Sequence, residues 1–88
     1  MREKRLEKIL KALANRRRLT ILAYLKITSE AHVGAIAAKL KLSIAATSRH
    51  LVILERAGLL EKEQRRLEVF YRLGDHPWSF VKKIREEL

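Results

Sequence analysis

The chain has no cysteine, one proline and three glycines in 88 residues. Without thiols there are no disulfides, thiolate metal sites or cysteine nucleophiles, which suits a reducing, cytoplasmic setting. Three glycines leave no glycine-rich phosphate loop, and one proline leaves no Pro-rich linker. No apolar run approaches the roughly 18–20 residues needed to cross a bilayer. The first eleven residues alternate charge with Leu and Ile, unlike a secretory signal, so no membrane partner is expected. Three scattered histidines and no suggestively spaced carboxylate pair give an enzyme nothing to work with. No catalytic residue, metal ligand or cofactor is expected.

Acidic residues are scarce too: 10 Asp+Glu against 20 Lys+Arg, a net charge of +10 and a pI of about 10.6. The surplus is uneven, with nine Lys/Arg and two Glu in residues 1–26 and a balance of zero in 74–88. Such an excess suits a polyanion, nucleic acid or an anionic membrane surface; the plainer reading is a solvated lysine-rich surface. With 48% hydrophobic residues the chain has enough apolar surface to fold. Residues 1–88 make one domain, small enough that pairing with a second copy is expected.

The pattern predicts four helices, a hairpin and a last helix. Leu6, Ile9, Leu10 and Leu13 fall on one face of the first. Asn15 interrupts that segment and caps a second, carried by Leu19, Leu22, Ala23 and Lys26 with Ile21 and Leu25 beside them. Thr28-Ser29-Glu30 reads as a loop, and Val33, Ile36, Ala37 and Leu40 mark a short third helix. Ser43 caps a fourth, from Ile44 to about Ala57, with Thr47, Leu51 and Leu54 inward and Gly58 as its left-handed stop. Only two or three residues part helices three and four, the spacing of a helix-turn-helix. After Gly58 the pattern turns strand-like at 59–63 and 68–73, with Gln64-Arg65-Arg66-Leu67 as the tip of a hairpin, or wing. Gly74-Asp75-His76-Pro77 opens a last helix with Trp78, Val81 and Leu88 near one side and Phe80 and Ile84 close by. The fold class is mainly α with a small β-hairpin: a winged helix-turn-helix.

At this point the wording becomes specific. Residues 10–22 (LKALANRRRLTIL), 36–43 (IAAKLKLS) and 48–60 (SRHLVILERAGLL) resemble the ArsR-type (arsenic-repressor) transcription factors over roughly residues 6–73. The resemblance implies a homodimer that binds a pseudo-palindromic operator and usually represses. Two departures stand out. Where family metal sensors carry Cys-Val-Cys at the start of the third helix, this chain has His32-Val33-Gly34. For the family's second metal site Asp75 and His76 are adjacent rather than spaced, with only Glu86 and Glu87 as late candidates. No metal response is expected; any effector is unidentified.

The DNA-binding set read this way is Ser43, Ile44, Ala45, Thr47, Ser48, Arg49 and His50 with Arg18, Arg65 and Arg66. Arg49 is the only long donor on the outward face and suits guanine O6/N7; Ser48 suits base edges or phosphate. Ile44 or Ala45 would touch thymine methyls, unless Ile44 packs within the turn. His50 takes a phosphate or a core role, Arg18 is a DNA contact or structural, and Arg16 and Arg17 touch the backbone or serve solubility. Arg65 and Arg66 would reach phosphates or a narrow minor groove. The dimer set is Leu6, Ile9, Leu10 and Leu13 with Trp78, Val81, Ile84 and Leu88, stripes that one small core cannot bury in full. The function expected is a sequence-specific regulator binding double-stranded DNA as a homodimer. The alternatives are a weakly specific architectural DNA-binding protein and a winged-helix protein-interaction module.

Overall fold

The computed structural model describes residues 2–74 and 85–86. The expected last helix, with Trp78, Val81, Ile84 and Leu88, lies outside them. Helix α1 (Arg2–Leu13) breaks at Ala14-Asn15, and α2 (Arg16–Thr28) starts where the Asn15 side chain accepts a hydrogen bond from the Arg18 N–H at 3.1 Å. Ser29, at φ 72°, ends α2. Strand β1 (Glu30–His32) leads directly into α3 (Val33–Leu40), and α4 (Ile44–Arg56) follows after a three-residue turn. Gly58, at φ +79°, then turns the chain into β2 (Leu60–Arg65) and β3 (Glu68–Leu73).

The strands form an antiparallel sheet in the order β1-β3-β2. Ala31 faces Tyr71, and Lys62 faces Tyr71 from the other side. The wing is therefore anchored: β1 joins its inner edge and ties it to the start of α3. The sequence reading missed this strand, taking Thr28-Ser29-Glu30 for a loop. Three residues are too few to show alternation, and β1 exists because β3 offers it an edge. The hairpin tip is also tighter than expected. Arg65 pairs with Glu68, leaving Arg66-Leu67 as a two-residue turn, with Arg66 at φ 56°.

The core gathers Ile9 and Ala12 of α1, Ile21 and Leu25 of α2, Ala31, Ile36 of α3, Leu51 and Leu54 of α4, and Leu59, Leu60 and Tyr71. Burying each large side chain is worth about 1.5–3 kcal/mol. Two expectations about faces are corrected. On α2 the inward pair is Ile21/Leu25, flanked by Leu22 and Tyr24, while Leu19, Ala23 and Lys26 lie outward. Both stripes are apolar at helical spacing, and packing against α3, α4 and the sheet selects one. On α1 the expected partner-facing stripe divides. Ile9 is buried in the chain's own core and Leu13 packs against it, whereas Leu10 is 47% exposed and lines an open groove with Leu6 and Ala14.

Candidate nucleic-acid interface

Helix α3 ends at Lys41, which adopts the left-handed conformation (φ 57°, ψ 43°). The N–H groups of Lys41 and Leu42 donate back to the carbonyls of Ala38 and Ala37 at 3.2 and 3.1 Å. Ser43 Oγ then accepts from the Ala46 N–H at 3.1 Å and starts α4 in a new direction. This short, doubly capped turn leaves the outer side of the first turns of α4 exposed. Ser43, Ala45 and Arg49 are exposed, and Ser48 and Val52 half-buried. Arg49 makes no ion pair among the described residues. Ile44 is 55% exposed, so it does not pack within the turn. Thr47, placed in the DNA-binding set by its position, is 0% exposed and belongs to the core face with Leu51 and Leu54. The sequence reading placed it both on the core face and in the DNA-binding set; it lies one helical turn before Leu51, on the side α4 presses against the body.

Arg18 and His50 belong together, which their separation in sequence hid. Arg18 Nε donates to the Ala12 carbonyl at 2.7 Å and Nη2 to the Lys11 carbonyl at 3.0 Å, satisfying the C-terminal end of α1. Its Nη1 meets His50 Nδ1 at 3.2 Å. Arg18 is therefore the joint of α1, α2 and α4: three of its five guanidinium donors go to the fold, the structural one of the two roles expected for it. Burial first, then the charges of Arg18, Arg17 and Arg49, lower the His50 pKa from its ordinary value.

The two wing arginines part company. Arg65 lies in β2, ion-paired to Glu30 of β1 and to Glu63 at 3.0 Å, with its guanidinium 4.5 Å from the Phe70 ring centre. The hydrogen bond from Arg65 holds the Glu63 carboxyl below the usual carboxylate range, and the same pairing raises the Arg65 pKa. Arg72 adds contacts to Glu61 and Glu63, each at 3.2 Å. Arg65, expected at the tip, ends β2 instead, with two carboxylates beside its guanidinium. Arg66 sits at the tip, its carbonyl accepting from Gln64 Nε2 at 2.8 Å, with its side chain exposed. Leu67, beside it, is 98% exposed.

Much of the positive charge lies elsewhere. Lys4, Arg5 and Lys8 line a groove with Arg56 at the C-terminal end of α4. At 1.5 Å per residue that is roughly 18 Å from Ile44. At the start of α3, His32 Nδ1 accepts from the Ala35 N–H at 3.2 Å and caps the helix. A Cβ at residue 34 would lie 3.1 Å from that ring, so Gly34 leaves it room. The positions that resemble a thiolate pair thus serve a helix cap here. Among the described residues no group of three or more His, Asp or Glu is placed to hold a metal ion.

A helix set on a tight turn after α3, its outward face free and a strand hairpin beside it, defines a winged helix-turn-helix protein. The chain belongs to the ArsR family: residues 15–62 match the profile described as bacterial regulatory protein, arsR family. It is 45% identical over 66 residues to the transcriptional activator HlyU of Vibrio cholerae, a match covering 75% of this chain and 60% of that protein. The solved structure of HlyU from Vibrio cholerae superposes with a TM-score of 0.76 at 34% identity, covering 96% of this chain and 91% of that one. The homodimeric winged helix-turn-helix DNA-binding domain of a candidate ArsR-family regulator from Mycobacterium bovis gives 0.79 at 30% identity, covering 96% and 81%.

Proposed function

We propose that this protein is a transcriptional regulator that binds a pseudo-palindromic site in duplex DNA as a homodimer, and no enzyme. The observation carrying this is α4: capped by Ser43, it presents Ile44, Ala45, Ser48 and Arg49 outward, with Arg66 at the wing tip alongside. Arg49 reads guanine, Ser48 bonds a base edge or phosphate, and Ile44 and Ala45 meet thymine methyls. Ser43 adds a backbone contact at the helix start.

Two copies are needed to read both halves of such a site, with the reading helices about 34 Å apart. Leu10 and Leu6 on the outer side of α1 supply apolar surface for that pairing, and the Mycobacterium bovis domain is described as homodimeric. The same act, occupying DNA, represses when the site overlaps a promoter and activates when it displaces another protein or recruits polymerase. Repression is the outcome proposed here, although the curated relative is named an activator. A protein that binds chromosomal DNA works in the cytoplasm of a bacterium.

Selection of bound fragments from random duplex DNA at two salt concentrations tests this. A sharp inverted repeat is expected. The apolar start of α4 favours a second reading, a weakly specific architectural protein, and a flat selection with steep salt dependence would replace the first reading with that one.

A further inference from the structure

Building on the DNA-binding reading, we propose that Arg18 is a positioning residue for DNA binding: it fixes the His50 ring with Nδ1 as acceptor, so that Nε2–H is the donor offered to a backbone phosphate of duplex DNA. A guanidinium has five donors and no acceptor, so its 3.2 Å contact requires an unprotonated Nδ1. In the neutral ring the proton then sits on Nε2, at the opposite side of the imidazole. The ring is held firmly because Arg18 itself is held at several points. Asn15 takes its backbone N–H, and the α1 carbonyls of Ala12 and Lys11 take Nε and Nη2.

The surroundings indicate the ligand. His50 is half-buried next to Arg49 on α4 and makes no hydrogen bond through Nε2 among the described residues. The charges that act on it are Arg17 and Arg18 from α2 and Arg49 from its own helix; from α1 come only the two carbonyls that hold Arg18. A ring N–H amid three guanidinium groups is the complement of an anion, and phosphate is the anion a DNA-reading helix meets.

Protonation follows from this arrangement. In the free protein burial and the three arginines keep the ring neutral to below its ordinary pKa of 6.5. That keeps the ring in the neutral Nε2–H form which the Arg18 contact requires, since a second proton would go on Nδ1 and break it.

The test uses the full chain and a random-sequence duplex of about 30 base pairs at low salt, since a phosphate contact is sequence-independent. The ring nitrogen shifts of the free protein at pH 7.5 should show His50 as the Nε2–H tautomer. His50→Ala should weaken binding about tenfold, the scale of one hydrogen bond to a charged group. His50→Gln, whose amide reaches the Nε2 position, should recover much of that loss. His50→Asn, which retains only the contact to Arg18, should not recover it; a purely structural His50 would give the opposite order. Arg18→Lys keeps the charge and loses the fork, so the tautomer preference should weaken. If that variant unfolds, the tautomer and the His50 series still decide. An Nδ1–H ring, or His50→Ala binding like the parent, overturns the proposal and leaves the DNA-binding reading standing. A parent chain that binds no duplex overturns both.

Discussion

Two adjacent arginines at the wing should behave differently in DNA binding, and the difference can be calculated from their partners. Arg66 is exposed at the turn and makes no ion pair among the described residues, so a phosphate contact from it releases one condensed counterion. Arg66→Ala should flatten the slope of log K against log[salt] by about 0.9 per protomer, and by about 1.8 for a dimer engaging both wings. Between about 50 and 200 mM salt each such contact changes the affinity ratio roughly threefold. Arg65 has already exchanged its counterions for Glu30 and Glu63. Arg65→Ala should therefore leave the slope within about 0.2 of the parent, at the scale of measurement error. The pairs persist through neutral pH because Glu63 stays ionised below the usual carboxylate range.

The converse perturbation is the more demanding one. Glu30→Gln with Glu63→Gln should free the Arg65 guanidinium and steepen the slope by up to about 0.9 per protomer, if the released side chain reaches a phosphate. Fluorescence anisotropy with one labelled duplex over five salt concentrations measures all four proteins, and far-ultraviolet circular dichroism confirms that each is folded. A full unit lost on Arg65→Ala, with none lost on Arg66→Ala, would refute the assignment of charge within the wing.

Other expectations are simpler to state. Arg49→Ala should cost about 1–3 kcal/mol on a selected site and much less on random duplex, measured by parallel titrations. Leu54→Ala, in a fully buried position, should lower the unfolding free energy by about 2–5 kcal/mol in urea titrations. Ser43→Ala should cost about 1 kcal/mol in the same assay, since the Ala46 N–H loses its cap. Leu10→Glu should leave a folded chain that sediments as a monomer, whereas Ile9→Glu should unfold it, because the two neighbours face opposite surroundings.

The elements that the sequence announces are those whose signal is local. Asn15, Ser43 and Gly58 each fix a helix boundary by chemistry confined to a few residues, and all three lie where their side chains or backbone freedom require. The inward triplet Thr47, Leu51 and Leu54 follows from spacing alone on α4, which has polar residues between. Helix α2 lacks that contrast. Apolar side chains surround it at Leu19, Ile21, Leu22, Leu25 and Ile27, the last of these 83% exposed, so periodicity offers two inward faces and the packing of α3, α4 and the sheet decides. Strand β1 is the extreme case: Glu30-Ala31-His32 has no strand signal, and becomes one only because β3 lies beside it.

The same division separates the functional residues. That Arg49 is exposed on α4 is legible from helical spacing alone. Arg18, Arg65 and Arg66 are chemically alike in the sequence, yet the fold gives them three different tasks: one joins helices, one braces the wing against β1, and one is left for a partner. What distinguishes them is acceptors far away in the chain, Glu30 being 35 residues from Arg65 and His50 being 32 from Arg18. Net charge therefore overstates how many of these cations lack a partner within the fold. A guanidinium with two carboxylates beside it adds stiffness to the wing rather than attraction for a phosphate, and the cations counted along the sequence become binding groups only where the fold leaves them without such partners.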